Sequence, residues 1–131
     1  MEKKAIETEK IPLTFKPSQF KLHTFHSEVA DRRIVYQVIK MLTSTFICVN
    51  YENELTFSDL SLVLTNNSNK PISTQLIGNF SEDSTKNMGM RLCKKLKKNI
   101  YLSCNVNNDR FTLPLVEKQL VMEMNKCPDK F

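Results

Sequence analysis

The sequence predicts an α+β fold, a single domain with a mainly antiparallel sheet and two α-helices. Three observations predict it. Extended and helical segments follow one another as strands, helix, strands, helix; the links between strands are short and of hairpin type; and 131 residues with 40% hydrophobic and 25% charged residues match one ordinary globular domain. A doubly wound parallel sheet would alternate strand and helix throughout.

Met1 to Ser18 carry seven charges and two prolines with no sustained apolar period, so residues 1–18 read as a flexible arm ahead of a domain over 19–131. Phe20 to His26 alternates weakly, and Arg33 to Leu42 is rich in β-branched and aromatic residues; both read as strands. Thr43-Ser44 is a tight turn into a third strand, Thr45 to Asn50. Tyr51 to Asp59 is a polar, acidic loop. Leu60, Leu62 and Leu64 then share one face of a strand that stops at the turn cluster Asn66 to Pro71. Ile72 to Ile77 is extended again and ends at Gly78.

Ser81, Glu82 and Asp83 supply the cap and first-turn acids of a helix running to about Lys98. At about 100° per residue, Thr85, Met88, Gly89, Leu92 and Leu96 fall on one stripe. Glycine inside a helix costs about 1 kcal/mol relative to Ala, so Gly89 marks a close approach to the sheet. Ile100, Leu102, Cys104 and Val106 alternate as a strand. Asn107 to Arg110 is hairpin-turn material leading into a short strand at Phe111 to Leu113, and Pro114 fits the first position of a second helix that ends near Lys126 and Pro128.

The apolar pattern asks for more cover than two helices give. The second strand presents Ile34, Tyr36, Val38 and Leu42 on one face and Val35, Ile39 and Met41 on the other; the third presents Ile47 and Val49 against Phe46 and Cys48. Helices in an α+β domain usually cover one face of the sheet. In the last helix Leu115, Val116, Leu120, Val121, Met122 and Met124 spread over most of the circumference. Little chain remains to cover these surfaces, so a dimer is expected, with Val121, Met122 and Met124 as candidate interface residues.

The formal charge is +5, yet Lys86, Arg91, Lys94, Lys95, Lys97 and Lys98 place six positives in one acid-free stretch, leaving the remainder at −1. The charge is one basic segment on a neutral protein. Arg91, Lys94, Lys97 and Lys98 fall away from the apolar stripe and are the candidate partner-binding residues, against the plainer reading of a solvated helix face.

Catalytic and metal chemistry find no support. Two glycines cannot build a phosphate cradle or a dinucleotide fingerprint. No cysteine pair has zinc-ribbon spacing, and His23 and His26, three apart on a strand, point to opposite faces. The expected metal and cofactor complement is none, and no enzyme activity is expected. The longest apolar run, Phe46 to Val49, is far short of a membrane span, and the start lacks the apolar core of a secretory signal. Location in the cytoplasm or nucleus is expected, with Cys48, Cys93, Cys104 and Cys127 as free thiols.

Ser73-Thr74-Gln75-Leu76-Ile77-Gly78, the amphipathic helix, Tyr101-Leu102-Ser103-Cys104-Asn105, Leu115-Val116-Glu117 and Cys127-Pro128-Asp129-Lys130-Phe131, in this order and spacing, resemble the proteasome assembly chaperone 4 family. The resemblance runs from about Leu22 to the last residue. It implies a non-catalytic domain with a six-stranded antiparallel sheet and two helices. It further implies that the chain forms a heterodimer with the related chaperone 3, binds proteasome α subunits to promote 20S α-ring assembly, uses no cofactor, and leaves before the particle matures. Homodimerisation of the chain alone stays open. The alternative is a nucleic-acid-binding or other interaction module built on the lysine-rich helix 86–98, although no aromatic residue is interleaved with its lysines.

Overall fold

The structure, a computed structural model, describes residues 12–66 and 70–131; most of the expected arm and the centre of the Asn66 to Pro71 turn lie outside the described residues. Six strands, β1 (Lys21–Val29), β2 (Arg32–Lys40), β3 (Ser44–Tyr51), β4 (Leu60–Leu64), β5 (Ile72–Ile77) and β6 (Asn99–Cys104), form one sheet in the order β1-β2-β3-β6-β4-β5. Helix α1 (Ser84–Leu96) lies between β5 and β6, and α2 (Thr112–Lys126) follows β6, with a short 3-10 turn at Pro128–Lys130.

The sheet is mixed. Four strand pairs are antiparallel, but β3 and β6 run parallel, Ser44 beside Asn99 through Val49 beside Cys104. A parallel pair needs a crossover. Here β4, β5 and α1 form it, and β6 then enters the gap between the β1-β2-β3 meander and the β4-β5 hairpin. The first hairpin is tighter than expected: β1 continues to Val29, and Ala30 and Asp31, with φ of 51° and 61°, make the two-residue turn. Both residues in the left-handed region is the type I′ geometry that matches strand twist, reached without the usual glycine.

Both helices cover the same face of the sheet. Ile34, Tyr36 and Val38 of β2, Ile47 and Val49 of β3, Val63 of β4 and Ile100 and Leu102 of β6 meet Met88 and Leu92 of α1 and Val116, Leu120 and Met124 of α2 in one core. The stripe expected on α1 is the buried one, with Cys93 joining it and Leu96 at its margin. Gly89 is the close approach: a Cβ there would lie 2.9 Å from Val63 Cγ2. Leu92→Ala is expected to lower stability by about 2–5 kcal/mol, read as a shift in urea midpoint, because Leu92 is only 1% exposed.

Two local expectations are corrected. Ser81 and Glu82 sit in a turn before α1, whose N-cap is Asp83 without a side-chain cap bond; Asp83 instead pairs with Lys86 at 2.9 Å. No hairpin follows β6. Asp109 accepts hydrogen bonds from the Phe111 and Thr112 amides (2.9 and 2.6 Å) and from the Thr112 hydroxyl (3.0 Å), satisfying the free donors of a helix start. Phe111 to Leu113 is therefore drawn into α2, and Pro114 falls within the first turn, where its missing N–H is harmless.

Beyond α2 the chain turns inward. Phe131 is 1% exposed, edge-on to Phe25 (centroids 6.4 Å) and His23 (6.2 Å). Its main-chain oxygen accepts from the Thr45 hydroxyl and from Lys98 Nζ, each at 2.8 Å.

Candidate pairing surface on the open sheet face

Strand side chains alternate between faces, and with both helices on one side the other half of every strand faces away from them. The registers line up one residue per strand across the whole sheet: Leu22 beside Ile39, Ile39 beside Phe46, Phe46 beside Tyr101, Tyr101 beside Leu62, and Leu62 beside Thr74. Five of these six are apolar or aromatic. Leu22 is exposed, while Ile39, Phe46, Tyr101 and Leu62 are half-buried only by their neighbours. Leu64, Ile72 and Leu76 extend the apolar surface toward the β5 edge, each at least 40% exposed. The leucine face of β4 is thus the open one; Ser61 and Val63 face the core.

The loop between β3 and β4 is fixed at one end of this face. Asn105 is its anchor: Oδ1 accepts from the Ser58 and Asp59 amides (2.9 and 3.2 Å), while Nδ2 donates to Ser103 Oγ (2.9 Å). Asp59 accepts from the Cys104 amide (3.1 Å) and from Gln75 Nε2 (2.7 Å), and Asn50 Oδ1 accepts from the Thr56 amide (3.0 Å). Gly78 borders the cluster at φ +114°, a left-handed backbone that favours glycine. The loop so held stacks Phe57, half exposed, beside Phe46 with ring centroids 6.3 Å apart. Nothing in the acidic sequence of the loop announced this; Asn50, Asn105 and Asp59 become anchors only once β3, β4 and β6 are adjacent.

The residues singled out in the sequence fare differently. Met124 is 3% exposed and belongs to the core, Val121 packs against that core, and Met122 is half exposed on the outer side of α2. Met124 therefore has no surface to give a partner, and the exposed apolar residues of this helix are Leu115 and Met122. Arg91 is held by Glu117 of α2, through Nε at 2.5 Å and Nη2 at 3.2 Å. Lys98 holds Phe131, and burial together with the charge of Lys40 lowers its pKa. Lys94, Lys95 and Lys97 are exposed. The basic helix thus presents lysines at its C-terminal end, where cations also suit the helix dipole, and not a continuous row of four.

Three of the four cysteines, Cys48, Cys93 and Cys104, are buried and behave as packing residues, whereas Cys127 is half-buried at the end of α2. Burial pushes the Cys104 thiol up to about 12 and raises those of Cys48 and Cys93. A nucleophile needs the opposite shift and an accessible sulfur.

A family model for proteasome assembly chaperone 4 matches residues 33–106, a span that holds β2 to β6 and most of the apolar row. Proteasome assembly chaperone 4 of Homo sapiens is 28% identical over 113 residues, covering 84% of this chain and 89% of the relative, and the Mus musculus protein matches to the same extent. Among solved structures, a chain from a chaperone complex for yeast 20S proteasome assembly superposes with a TM-score of 0.57 at 9% identity, covering 84% of this chain and 93% of that one. The fold of that chain is shared even where the sequence is not. With more than half of its length matched by the family model, this chain belongs to the proteasome assembly chaperone 4 family.

Proposed function

We propose that the chain is a non-catalytic chaperone subunit in 20S proteasome assembly, pairing through its open sheet face with a related chaperone 3-type subunit and binding α subunits as the α-ring forms. The observation that carries the pairing is the apolar row across all six strands on the side that neither helix covers. Exposed contiguous apolar surface marks an interaction site, and an interface of the permanent kind resembles a core cut in half. The names of the human and mouse relatives support the proteasome role. In this reading the pair works in the cytoplasm or nucleus.

The test is co-expression with a chaperone 3-type subunit and recombinant α subunits. A one-to-one chaperone pair that captures α subunits and raises the yield of α-rings supports the proposal. A folded chain that stays monomeric with that subunit, at micromolar concentration, overturns the pairing; a pair that leaves α-ring yield unchanged overturns the assembly role.

The α-subunit contact includes Lys94 and Lys97 as steering charges for an acidic patch. Exposed charges act chiefly on association rate and salt dependence. Reversal of both to Glu is expected to slow α-subunit association by about tenfold or more at low salt, with the rates converging at high salt, measured by stopped-flow. Equal rates at low salt would leave these lysines as a solvated face. Steeply salt-dependent retention on heparin, lost in the same variant, would favour the nucleic-acid reading instead.

A further inference from the structure

We propose that His23, Glu123 and Cys127 form a metal site of the zinc class where β1 meets the end of α2. Their donor atoms all lie within 4.8 Å of one another. His23 Nε2 is already 3.0 Å from Glu123 Oε1, with the two side chains only 19% and 17% exposed. Glu123 lies in the last turn of α2 and Cys127 is its C-cap; the cysteine backbone has left the helical region (φ −129°, ψ 63°), but its amide still bonds the Glu123 carbonyl at 2.8 Å, which keeps the two residues, four apart, next to each other at the helix end. The imidazole is oriented by packing: it stacks on Phe25 at 5.5 Å and meets Phe131 edge-on.

The donor set decides the class of metal. One nitrogen, one carboxylate oxygen and one sulfur suit Zn²⁺, whereas Ca²⁺ and Mg²⁺ demand oxygen throughout. Tetrahedral bond lengths of about 2.0–2.3 Å put neighbouring donors about 3.4–3.6 Å apart, so rotation of the Glu123 and Cys127 side chains by about an ångström closes the triangle. The fourth position stays open to water or to a partner's side chain. Binding exchanges the His23–Glu123 hydrogen bond for two metal bonds; the proton on His23 Nε2 that made that bond passes to Nδ1 through solvent, or leaves to solvent where the ring is doubly protonated, and the Cys127 thiol proton is released to solvent as the thiolate binds. The histidine pair and the cysteine spacings in the sequence gave no hint of it, because His23 and Glu123 are 100 residues apart.

The experiment is titration of the tag-free, metal-stripped full chain with Zn²⁺ by calorimetry and with Co²⁺ by absorption. Expected are one ion per chain, tetrahedral cobalt bands with a thiolate charge-transfer band, and a thermal midpoint that rises with Zn²⁺. Cys127→Ser and His23→Gln should each weaken binding by more than the roughly 10–100-fold typical of losing an outer-shell partner. Glu123→Gln, which can still accept the His23 hydrogen bond, should weaken it while leaving the metal-free midpoint unchanged. Absence of saturable binding overturns the proposal, as does binding that survives in all three folded variants.

Discussion

Phe131→Ala is expected to cost about 3–5 kcal/mol, as large aromatic truncations in a core do, and to show as a lower urea midpoint with an unchanged slope. The ring is 1% exposed and closes the end of the core between Phe25 and His23. Phe25 in turn lies flat on Tyr36 at 4.5 Å, and burial pushes the Tyr36 hydroxyl up to about 12. Removing Phe131 therefore opens a void beside Phe25, the ring that stacks on the buried Tyr36, and loosens the segment that Thr45 and Lys98 hold. Phe131→Leu, which refills much of the volume, should recover a large part of the loss. An unchanged midpoint in Phe131→Ala would show that the last turn does not contribute to the core.

Leu62→Glu is expected to abolish pairing while leaving the fold intact. Leu62 stands between Tyr101 and Thr74 in the apolar row, and its side chain is on the open face, not in the core. A carboxylate there costs little in the separate chain, where water reaches it. At the centre of a dry sheet-to-sheet contact it would be buried without a partner. Truncating residues at the centre of an interface costs 2 kcal/mol or more, and a buried charge costs more again, so the dissociation constant should rise by at least about 100-fold. Sedimentation of the variant with its co-expressed subunit reads this directly, and an unchanged thermal midpoint of the separate chain shows that the fold survives. Wild-type pairing in the variant would move the interface off this face.

Much of this architecture could be read from residue order. The β-branched and aromatic run Arg33 to Leu42 marked β2, alternation in Ile100 to Val106 marked β6, the stripe through Met88 and Leu92 marked α1, and Gly89 marked a close approach to the sheet, which the structure makes at Val63. The two-faced apolar character of β2 and β3 also announced that one side of the sheet was left over. What could not be read depends on distant partners. Arg91 looked like a free cation until Glu117, 26 residues on, was brought beside it, and Lys98 until Phe131 was. The turn-rich Asn107 to Arg110 misled for a different reason: Asp109 three residues before Thr112 is also a helix-start signal, and the capping bonds of that aspartate won over the hairpin. In the last helix, period alone could not say which apolar residues faced inward, so Met124 looked equivalent to Met122.

The parallel pair at the centre of the sheet also sets a schedule for synthesis. Ser44 pairs with Asn99, so strand β3 must wait 55 residues for its second neighbour. At roughly 5–20 residues per second that is an interval of about 3–11 seconds. Throughout it, Phe46-Ile47-Cys48-Val49 offers an unpaired backbone edge with high β-propensity and no charge, the kind of segment that seeds intermolecular strand pairing. The nascent chain reaches safety only when α1 has been made and β6 has slotted into the gap. A subunit whose work is to guide the assembly of other proteins thus emerges from the ribosome with its own central strand exposed.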